Sequence, residues 1–348
     1  MSEKRKFLIV GAGLSGLSVA LQLIRKGAEV TVIDNQINHS SLVAAGMMNP
    51  LVFKRMTKGW RVDDFIPYLK TFYSSIEEET NSSFFRPIPI RRMFSAENER
   101  EMWLERQTDN RFTAYMETVT EEDETYDKVK NDFGSGRLKN TYVVDAAAFL
   151  AASKLLVERQ GTLLNESFSY QNLVGTTYNK ELYTDVIFCE GYLGINNPWF
   201  DFLPLDPTKG ELLTIRSAQL PEDESINRKC FNLPIGNGQF KVGSTIDWGN
   251  QTTHTTEEGK KKILKKLSVL IDEKVEVIEH QAGVRPGSKD RRPFIGSHPQ
   301  HTSYHIFNGL GSKGYMLAPL LSAEFASYLL EDSVLDSEVD LSRFYPGI

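Results

Sequence analysis

The sequence has few of the residues that indicate a disulfide framework, a metal site or a membrane span. Its 348 residues include two cysteines and six histidines. Cys189 and Cys230 are too few for a disulfide framework or a zinc site, and the histidines show no ligand spacing. Outside the N-terminal glycine-rich segment, no run is apolar and long enough to cross a bilayer. We therefore expect no metal, no membrane span and a reducing, cytoplasmic location.

Positive charge is not in excess either. The chain has 40 Lys and Arg against 46 Asp and Glu, a formal net charge of −6. Proteins that bind nucleic acid usually carry a basic surface, so no nucleic-acid partner is expected. The one unusual basic cluster, residues 54–61, either binds an acidic substrate or phosphates or is an exposed basic turn. The length fits two connected domains.

A β-α-β unit for dinucleotide binding stands at the N-terminus. Residues 7–10 form a continuous apolar run, which is typical of a buried strand. A GxGxxG motif follows at residues 11–16, and leucines then recur at helical spacing. A second apolar run at 29–33 ends on Asp34. This order of strand, glycine-rich loop, helix, strand and acid predicts dinucleotide binding. It does not distinguish NAD from FAD.

Each part of this unit has a physical role. Gly11 permits the tight turn, Gly13 lets the backbone approach the pyrophosphate, and Gly16 lets the helix pack closely on the strand. The helix N-terminus directs free N–H groups and positive charge at the phosphates. Asp34 is placed to accept hydrogen bonds from the adenosine ribose.

The next segment distinguishes between the two cofactors. Residues 40–50, Ser-Ser-Leu-Val-Ala-Ala-Gly-Met-Met-Asn-Pro, are rich in small side chains. By themselves they are also compatible with a plain connecting loop. They resemble the Ser-Ser…Ala-Gly-Met stretch of the glycine oxidase and D-amino acid oxidase superfamily of FAD enzymes. In that family the serines touch the pyrophosphate, and the Ala-Gly-Met backbone passes the isoalloxazine ring.

The C-terminal half carries the second part of the resemblance. The segments 283–290 and 292–296 resemble the glycine oxidases of thiamine biosynthesis. Arg285 ends a predicted strand, and a guanidinium fork binds a carboxylate through two parallel hydrogen bonds. The alternative is a structural ion pair of Arg285 with Asp290 or Glu279. Relatives that bind flavin covalently use a cysteine in this region, which is absent here, so the resemblance implies non-covalent FAD.

A glycine-rich loop at 308–315 precedes a helix that we expect to begin at Pro319 and to run through Leu330. The helix N-terminus and Lys313 would place positive charge at the N1–C2=O edge of the flavin, which is anionic when reduced. Alternatively, Lys313 is a surface residue. The segment 309–321 also resembles the FAD half of the bifunctional enzyme that makes 5-methylaminomethyl-2-thiouridine in tRNA.

The resemblance implies an α/β architecture, α+β overall, with two interleaved domains. We expect a discontinuous, Rossmann-like FAD-binding domain made of residues 1–80, 141–205 and 286–348. A substrate-binding domain, residues 81–140 and 206–285, would be built on a large, mostly antiparallel sheet.

The candidate site residues fall into three groups. Arg285 and Lys313 are the candidate catalytic residues. The predicted cofactor contacts are Gly11, Gly13, Leu14, Ser15, Gly16, Asp34, Asn35, Ser40, Ser41, Ala45, Gly46, Met47, Glu190, Gly191, Gly309, Gly311, Ser312, Lys313 and Gly314. The predicted substrate contacts are Arg285, Asn49, Trp60, Phe231 and Ile246.

Phe231 departs from the glycine oxidase pattern, which has a tyrosine at the matching position. Since a phenyl ring has no hydroxyl to hold the substrate, Phe231 with Trp60 and Ile246 would line a pocket for a substrate bulkier or less polar than glycine. Taken singly, each of the three is more typical of core packing than of a pocket lining.

The resemblance implies an FAD enzyme that oxidises a C–N bond of an amino acid or N-substituted amine by hydride transfer to flavin N5. Oxygen or another electron acceptor would reoxidise the flavin. Three alternatives stay open: a tRNA-modifying amine oxidase, a flavin-binding module without turnover, and an enzyme of 2-hydroxy acids. The substrate and the oligomeric state are not determined by the sequence.

Overall fold

Two large sheets and seven α-helices organise the part of the chain that the structure describes. The computed structural model describes residues 4–37, 40–119 and 129–345. The helices are α1 (Leu14–Arg25), α2 (Ser40–Val43), α3 (Val62–Thr80), α4 (Glu97–Gln107), α5 (Ala146–Gln160), α6 (Glu257–Leu267) and α7 (Gly314–Glu331). Short 3-10 turns lie at Phe53–Arg55, Tyr170–Asn172, Gly191–Asn196, Gly311–Lys313 and Leu341–Phe344.

The first large sheet has six strands and is parallel except at one edge. In spatial order its strands are β10 (Thr162–Leu164), β2 (Glu29–Ile33), β1 (Lys6–Val10), β14 (Asp185–Phe188), β22 (Tyr304–Asn308) and β21 (Phe294–Ser297). Only β21 runs antiparallel to its neighbour. The helices α1, α3, α5 and α7 share a hydrophobic core with one face of this sheet. Ligands in such sheets bind beyond the carboxyl ends of the parallel strands, where the loop 11–13 lies.

The second large sheet has eight strands. In spatial order they are β20 (Glu276–Arg285), β15 (Thr208–Arg216), which also pairs with β19 (Asp247–Trp248), then β18 (Gln239–Gly243), β17 (Cys230–Gly236), β16 (Ser225–Arg228), β7 (Ile90–Met93) and β8 (Ser135–Leu138). All pairs are antiparallel except that of β16 with β7. Helix α6 packs its Ile263 and Leu267 into the core on one face. The other face turns Gly210 and Arg285 toward α2.

Three small sheets complete the described part of the chain. One contains β3 (Met47–Met48), β9 (Tyr142–Val144) and β6 (Phe85–Pro87), another β4 (Leu51–Val52) and β5 (Thr57–Lys58), and the third β11 (Leu173–Val174), β12 (Thr177–Tyr178) and β13 (Glu181–Leu182). The mixed α/β architecture and the large, mostly antiparallel sheet confirm the predicted fold class. The two large sheets draw their strands from the segments assigned to separate domains, and the exact division stays a prediction.

Helix α7 begins earlier than predicted. It starts at Gly314, so Pro319 lies inside the helix instead of opening it. Because proline has no N–H, the carbonyl of Tyr315, four residues earlier, lacks its helical partner. The buried hydroxyl of Tyr73 donates to this carbonyl at 2.6 Å. A hydrogen bond from α3 therefore compensates for the proline, which sequence periodicity alone does not reveal.

Replacing Tyr73 by phenylalanine should lower the free energy of unfolding by about 1–3 kcal/mol, because the buried Tyr315 carbonyl loses its partner. Urea unfolding measures the change. In a Pro319→Ala background the helix N–H returns, so the same Tyr73→Phe change should cost less. Equal costs in the two backgrounds would contradict this account of the helix.

Candidate functional site

The turn after β1 requires glycine at two positions. Gly11 has a φ of +105°, and a Cβ there would lie 2.5 Å from the carbonyl oxygen of Cys189. A Cβ on Gly16 would lie 1.8 Å from the carbonyl oxygen of Gly11. The start of α1 therefore packs directly against the strand–loop junction, and its first two residues, Leu14 and Ser15, line the adjoining cavity space. Asp34, just after β2, accepts a hydrogen bond from the N–H of Ala12 at 2.7 Å.

The short helix α2 connects three parts of the site. The hydroxyl of Ser41 accepts from the N–H of Leu14 at the start of α1, at 3.0 Å. The hydroxyl of Ser40 donates to the carbonyl of Val284 on β20. The Tyr315 hydroxyl on α7 donates to the Ser41 carbonyl at 2.8 Å. These bonds bring the dinucleotide loop, the end of β20 and the start of α7 together.

Two adjoining cavities lie around this junction. The Arg285 cavity, which Arg285 lines, has a volume of about 350 Å³, and the Asp34 cavity, which Asp34 lines, has about 270 Å³. Five residues border both cavities: Leu14, Ser15, Ser40, Ser41 and Pro286. Since they share this border, the two cavities form one elongated site that extends from the end of β2 to the second large sheet.

Most of the predicted site residues line one of the two cavities. Besides the shared residues, the Arg285 cavity is lined by the predicted Ala45, Gly46, Met47, Asn49, Phe231, Arg285, Gly311, Ser312, Lys313 and Gly314. The Asp34 cavity is lined by the predicted Gly11, Gly13, Asp34, Asn35, Glu190 and Gly191. The two ends of the chain and its middle thus meet at one site.

Arg285 is a partly buried cation without an acidic partner in the described part of the chain. Its Nη2 donates to the Ser244 hydroxyl at 2.8 Å, and no carboxylate among the described residues contacts it. Asp290, one proposed structural partner, instead accepts from Arg343 at 2.9 Å. Burial lowers the pKa of Arg285, since the surroundings disfavour its charge. The guanidinium retains donors for a carboxylate in the cavity.

Gly210 makes room for this guanidinium. It lies on β15 opposite Gly283 of β20, and a Cβ on Gly210 would lie 2.1 Å from Arg285 Nη2 and 2.4 Å from its Cζ. The side chain of Arg285 therefore crosses directly over the glycine. Any larger residue at 210 would displace the fork.

We expect Gly210→Ala to raise the KM for a carboxylated substrate about 10-fold or more, because a displaced fork loses one or both of its charge-assisted hydrogen bonds. Steady-state kinetics measures KM, and the visible absorption spectrum measures flavin content, which should not change. Gly283→Ala is the matched control, since its Cβ would meet nothing closer than 3.4 Å. Equal effects of the two changes would contradict the role assigned to Gly210.

Lys313 lies in the turn just before α7 and lines the Arg285 cavity. Its Nζ would lie 3.1 Å from a Cβ built on Gly59, so the amine extends inward against that glycine. Burial lowers the pKa of Lys313. No described residue forms an ion pair or a hydrogen bond with the amine, which leaves its three donors for a bound molecule. Lys313 is therefore partly buried, and its role at the site stays a prediction.

Glu190 closes the Asp34 cavity. Its carboxylate accepts hydrogen bonds from the Tyr170 hydroxyl, at 2.5 Å, and from Asn197 Nδ2, at 2.8 Å. Burial raises the pKa of Glu190. Asn308 Nδ2 donates to the carbonyl of the neighbouring Gly191 at 2.8 Å. The turn after β14 is thereby held against the end of β22.

Four predicted site residues line neither cavity: Gly16, Gly309, Trp60 and Ile246. Gly16 packs beneath the loop, as described, and Gly309 lies against the ring of Phe294. Trp60 donates its indole N–H to Glu338 at 2.8 Å and packs under the guanidinium of Arg292, which lies 4.6 Å from its ring centroid.

The structure also corrects the predicted pocket at Ile246. This side chain is 63% exposed, because the loop after Ser244 turns outward before pairing at β19. Of the basic cluster 54–61, Arg61 forms ion pairs with Asp64, Glu324 and Asp336, and Lys58 pairs with Asp63. These two residues thus serve the packing of α3 and the C-terminal segment.

Sequence reasoning missed several residues at the site. Ser244 lies just after β18, 41 residues from Arg285 in the chain, and bonds the guanidinium through its hydroxyl. Tyr170 lines the Asp34 cavity from a 3-10 turn. No local pattern marks either residue, since each reaches the site only through the tertiary fold. Gly210, which also lines the Arg285 cavity, was not among the predicted site residues.

The fold and the site define a dinucleotide-binding oxidoreductase. A glycine cradle and a helix N-terminus suit a pyrophosphate, acidic groups lie at the adenosine end, and cations lie at the opposite end, where a reduced flavin is anionic. The residues present therefore fit FAD. Within the described residues no helix is long and apolar enough to cross a membrane, and no cluster of potential metal ligands is found.

The chain matches the family model of FAD dependent oxidoreductases over residues 6–328. It belongs to this family, which confirms the resemblance stated above, and FAD is its cofactor. It is 28% identical to glycine oxidase of Bacillus subtilis (strain 168) over 151 residues, which cover 42% of this chain and 38% of that protein. The chain therefore spans well under half of this curated relative.

Solved structures show the same fold over nearly the whole chain. Glycine oxidase from Geobacillus kaustophilus superposes with a TM-score of 0.82 at 18% identity, covering 99% of this chain and 98% of that one. Iminodiacetate oxidase from Chelativorans sp. BNC1 gives a TM-score of 0.79 at 19% identity, covering 98% and 99%. At these identities the similarity establishes the architecture.

Proposed function

We propose that the protein oxidises the C–N bond of an amino acid or N-substituted amine that carries a carboxylate. The observation that carries this proposal is Arg285, a partly buried guanidinium that lines the cavity and has no acidic partner among the described residues. FAD supplies the hydride acceptor when bound. The names of two relatives, glycine oxidase and iminodiacetate oxidase, support a substrate in which a carboxylate lies close to the amine.

The chain's own residues would orient the substrate and exclude water. Arg285 binds the carboxylate through its fork, with Ser244 holding one edge of the guanidinium. Leu212, Phe231 and Met47 supply apolar surface beside it, which strengthens the electrostatic attraction by keeping water out. The N-terminus of α7 and Lys313 contribute positive charge to the same cavity.

Anaerobic mixing of the purified holoprotein with a panel of amines, amino acids and 2-hydroxy acids tests the proposal. Loss of the visible flavin absorption on addition of a carboxylated amine is expected. Bleaching only by 2-hydroxy acids, or only by modified tRNA, would replace the proposal with one of those reactions. If dithionite alone bleaches the flavin, the protein is a flavin-binding module without turnover.

The proposal also covers the electron acceptor, the partners and the cellular location. Oxygen or another electron acceptor would reoxidise the flavin, and measuring hydrogen peroxide during turnover distinguishes the two. No nucleic-acid partner is included, given the net charge of −6. A cytoplasmic location is supported by Cys189 and Cys230, which are both buried and unpaired.

A further inference from the structure

The Arg285 cavity holds two positive charges and no negative charge. Arg285 and Lys313 both line it, and none of its described lining residues is an aspartate or glutamate. The Asp34 cavity has the opposite character, since Asp34 and Glu190 line it. The elongated site is therefore acidic at one end and doubly cationic at the other.

Even partial burial without an acidic partner is costly for each of these cations. A charge taken out of water loses hydration that only an ion pair or several hydrogen bonds can replace. Arg285 has one hydroxyl partner, and Lys313 has no acceptor in the described part of the chain. Burial lowers the pKa of both groups, in agreement with incomplete compensation. Bound anions would supply the compensating negative charge that the described residues of the protein do not.

One monocarboxylate would neutralise only one of the two cations. The neutral polar groups of the cavity do not change this balance, because Asn49 already uses its Oδ1 to accept from the N–H of Leu51 at 2.9 Å. Its amide nitrogen is then directed to donate, which again suits an anion. The cavity thus favours a molecule with more than one negative group.

We infer that the substrate is an amine with two carboxylates, one bound by Arg285 and the other by Lys313. This rests on the proposed function. In the reaction, the C–H next to nitrogen leaves as hydride to FAD and the nitrogen loses a proton. Water then hydrolyses the substrate-derived imine to a 2-oxo acid, releasing an amine from an N-substituted substrate and ammonia from a primary amino acid. The second carboxylate is carried either by an N-carboxymethyl group or by the amino-acid side chain.

Pairs of compounds that differ only in charge test the inference. Iminodiacetate is compared with N-(carbamoylmethyl)glycine, and each enantiomer of glutamate with the same enantiomer of glutamine. At least one diacid should exceed its amide partner about 30-fold or more in kcat/KM, the usual effect of a lost buried charge pair. The pair that shows this difference identifies where the second carboxylate is attached: on an N-carboxymethyl group or on the amino-acid side chain.

Lys313→Met should reduce that diacid-to-amide ratio toward one, and Lys313→Arg should restore most of it. Lys180→Met is the matched control, an exposed lysine outside both cavities, and should leave the ratio unchanged. If Lys313 instead serves the anionic edge of the reduced flavin, Lys313→Met slows both partners of a pair equally and lowers the flavin potential. That outcome would overturn the inference.

Binding without turnover separates this inference from the proposed function. Oxydiacetate has an ether oxygen in place of the amine and cannot be oxidised at a C–N bond, so its binding is followed by calorimetry on the holoprotein. Tight binding that Lys313→Met weakens about 30-fold supports the inference even if no amine reduces the flavin. Equal affinity for oxydiacetate and methoxyacetate refutes it while the proposed function stands.

Discussion

Replacing Arg285 by alanine should lower kcat/KM for a carboxylated amine by between about 30-fold and several thousand-fold. Losing one partner of a buried charge pair costs about 2–5 kcal/mol, which corresponds to this range. The substrate carboxylate would enter a cavity whose remaining hydroxyls and amides cannot match a guanidinium fork. Stopped-flow reduction of the flavin under anaerobic conditions measures the effect on the reductive step directly.

Arg285→Lys is the informative companion. It keeps the charge and loses the fork, so we expect activity between those of the wild type and the alanine variant. Both variants should purify with a full complement of FAD, because Arg285 lies at the substrate end of the site. Unchanged reduction of the flavin by a carboxylated amine in Arg285→Ala would refute the carboxylate assignment.

The second large effect is expected from Gly16→Ala. The new Cβ would lie 1.8 Å from the carbonyl oxygen of Gly11, and both atoms belong to packed backbone that has no rotamer to change. Helix α1 would have to move away from β1, which should cost roughly 3 kcal/mol or more. Its N-terminus would then no longer face the pyrophosphate. The protein should purify with little FAD and unfold at lower urea concentration.

Ser18→Ala controls for substitution in the same helix. Ser18 is fully buried, and its hydroxyl has no hydrogen-bond partner in the described structure. Removing it should be neutral or slightly stabilising, since an unsatisfied polar group is deleted. The ratio of flavin to protein absorbance should remain at the wild-type value. Full FAD occupancy in Gly16→Ala would show that the helix can shift without losing the cofactor.

Local patterns predicted those parts of the site that consist of consecutive residues. The order of strand, glycine loop, helix and acid from Phe7 to Asp34 places the dinucleotide loop because all its parts interact within one supersecondary unit. The cap of α5 follows the same logic: Asp145 accepts from the N–H of Ala148 at 3.1 Å, as its position before the helix predicts. Such contacts depend on neighbours in the chain, which a sequence displays directly.

The start of α7 shows where local rules are insufficient. A proline typically opens a helix, yet Pro319 lies in the interior because Tyr73, 242 residues before Tyr315, supplies the missing hydrogen bond. The expected pocket at Trp60 differs for a similar reason. Its indole meets Glu338 and Arg292 in the C-terminal segment, which no periodicity around Trp60 indicates.

The sequence by itself determined the cofactor class and the residue types that serve it: glycines where backbone must approach phosphate, an acid after the second strand, and an arginine at a strand end. These assignments follow from the conformational freedom and the charge of the individual residues, which the sequence states directly. The tertiary structure decided which charges have no partner. Among the described residues neither Arg285 nor Lys313 has an acidic partner; Asp290, close to Arg285 in sequence, pairs with Arg343 instead, and β15 presents Gly210 beneath the Arg285 guanidinium. Ion pairing and burial depend on segments that are distant in the chain. They decide that these two cations can bind anions.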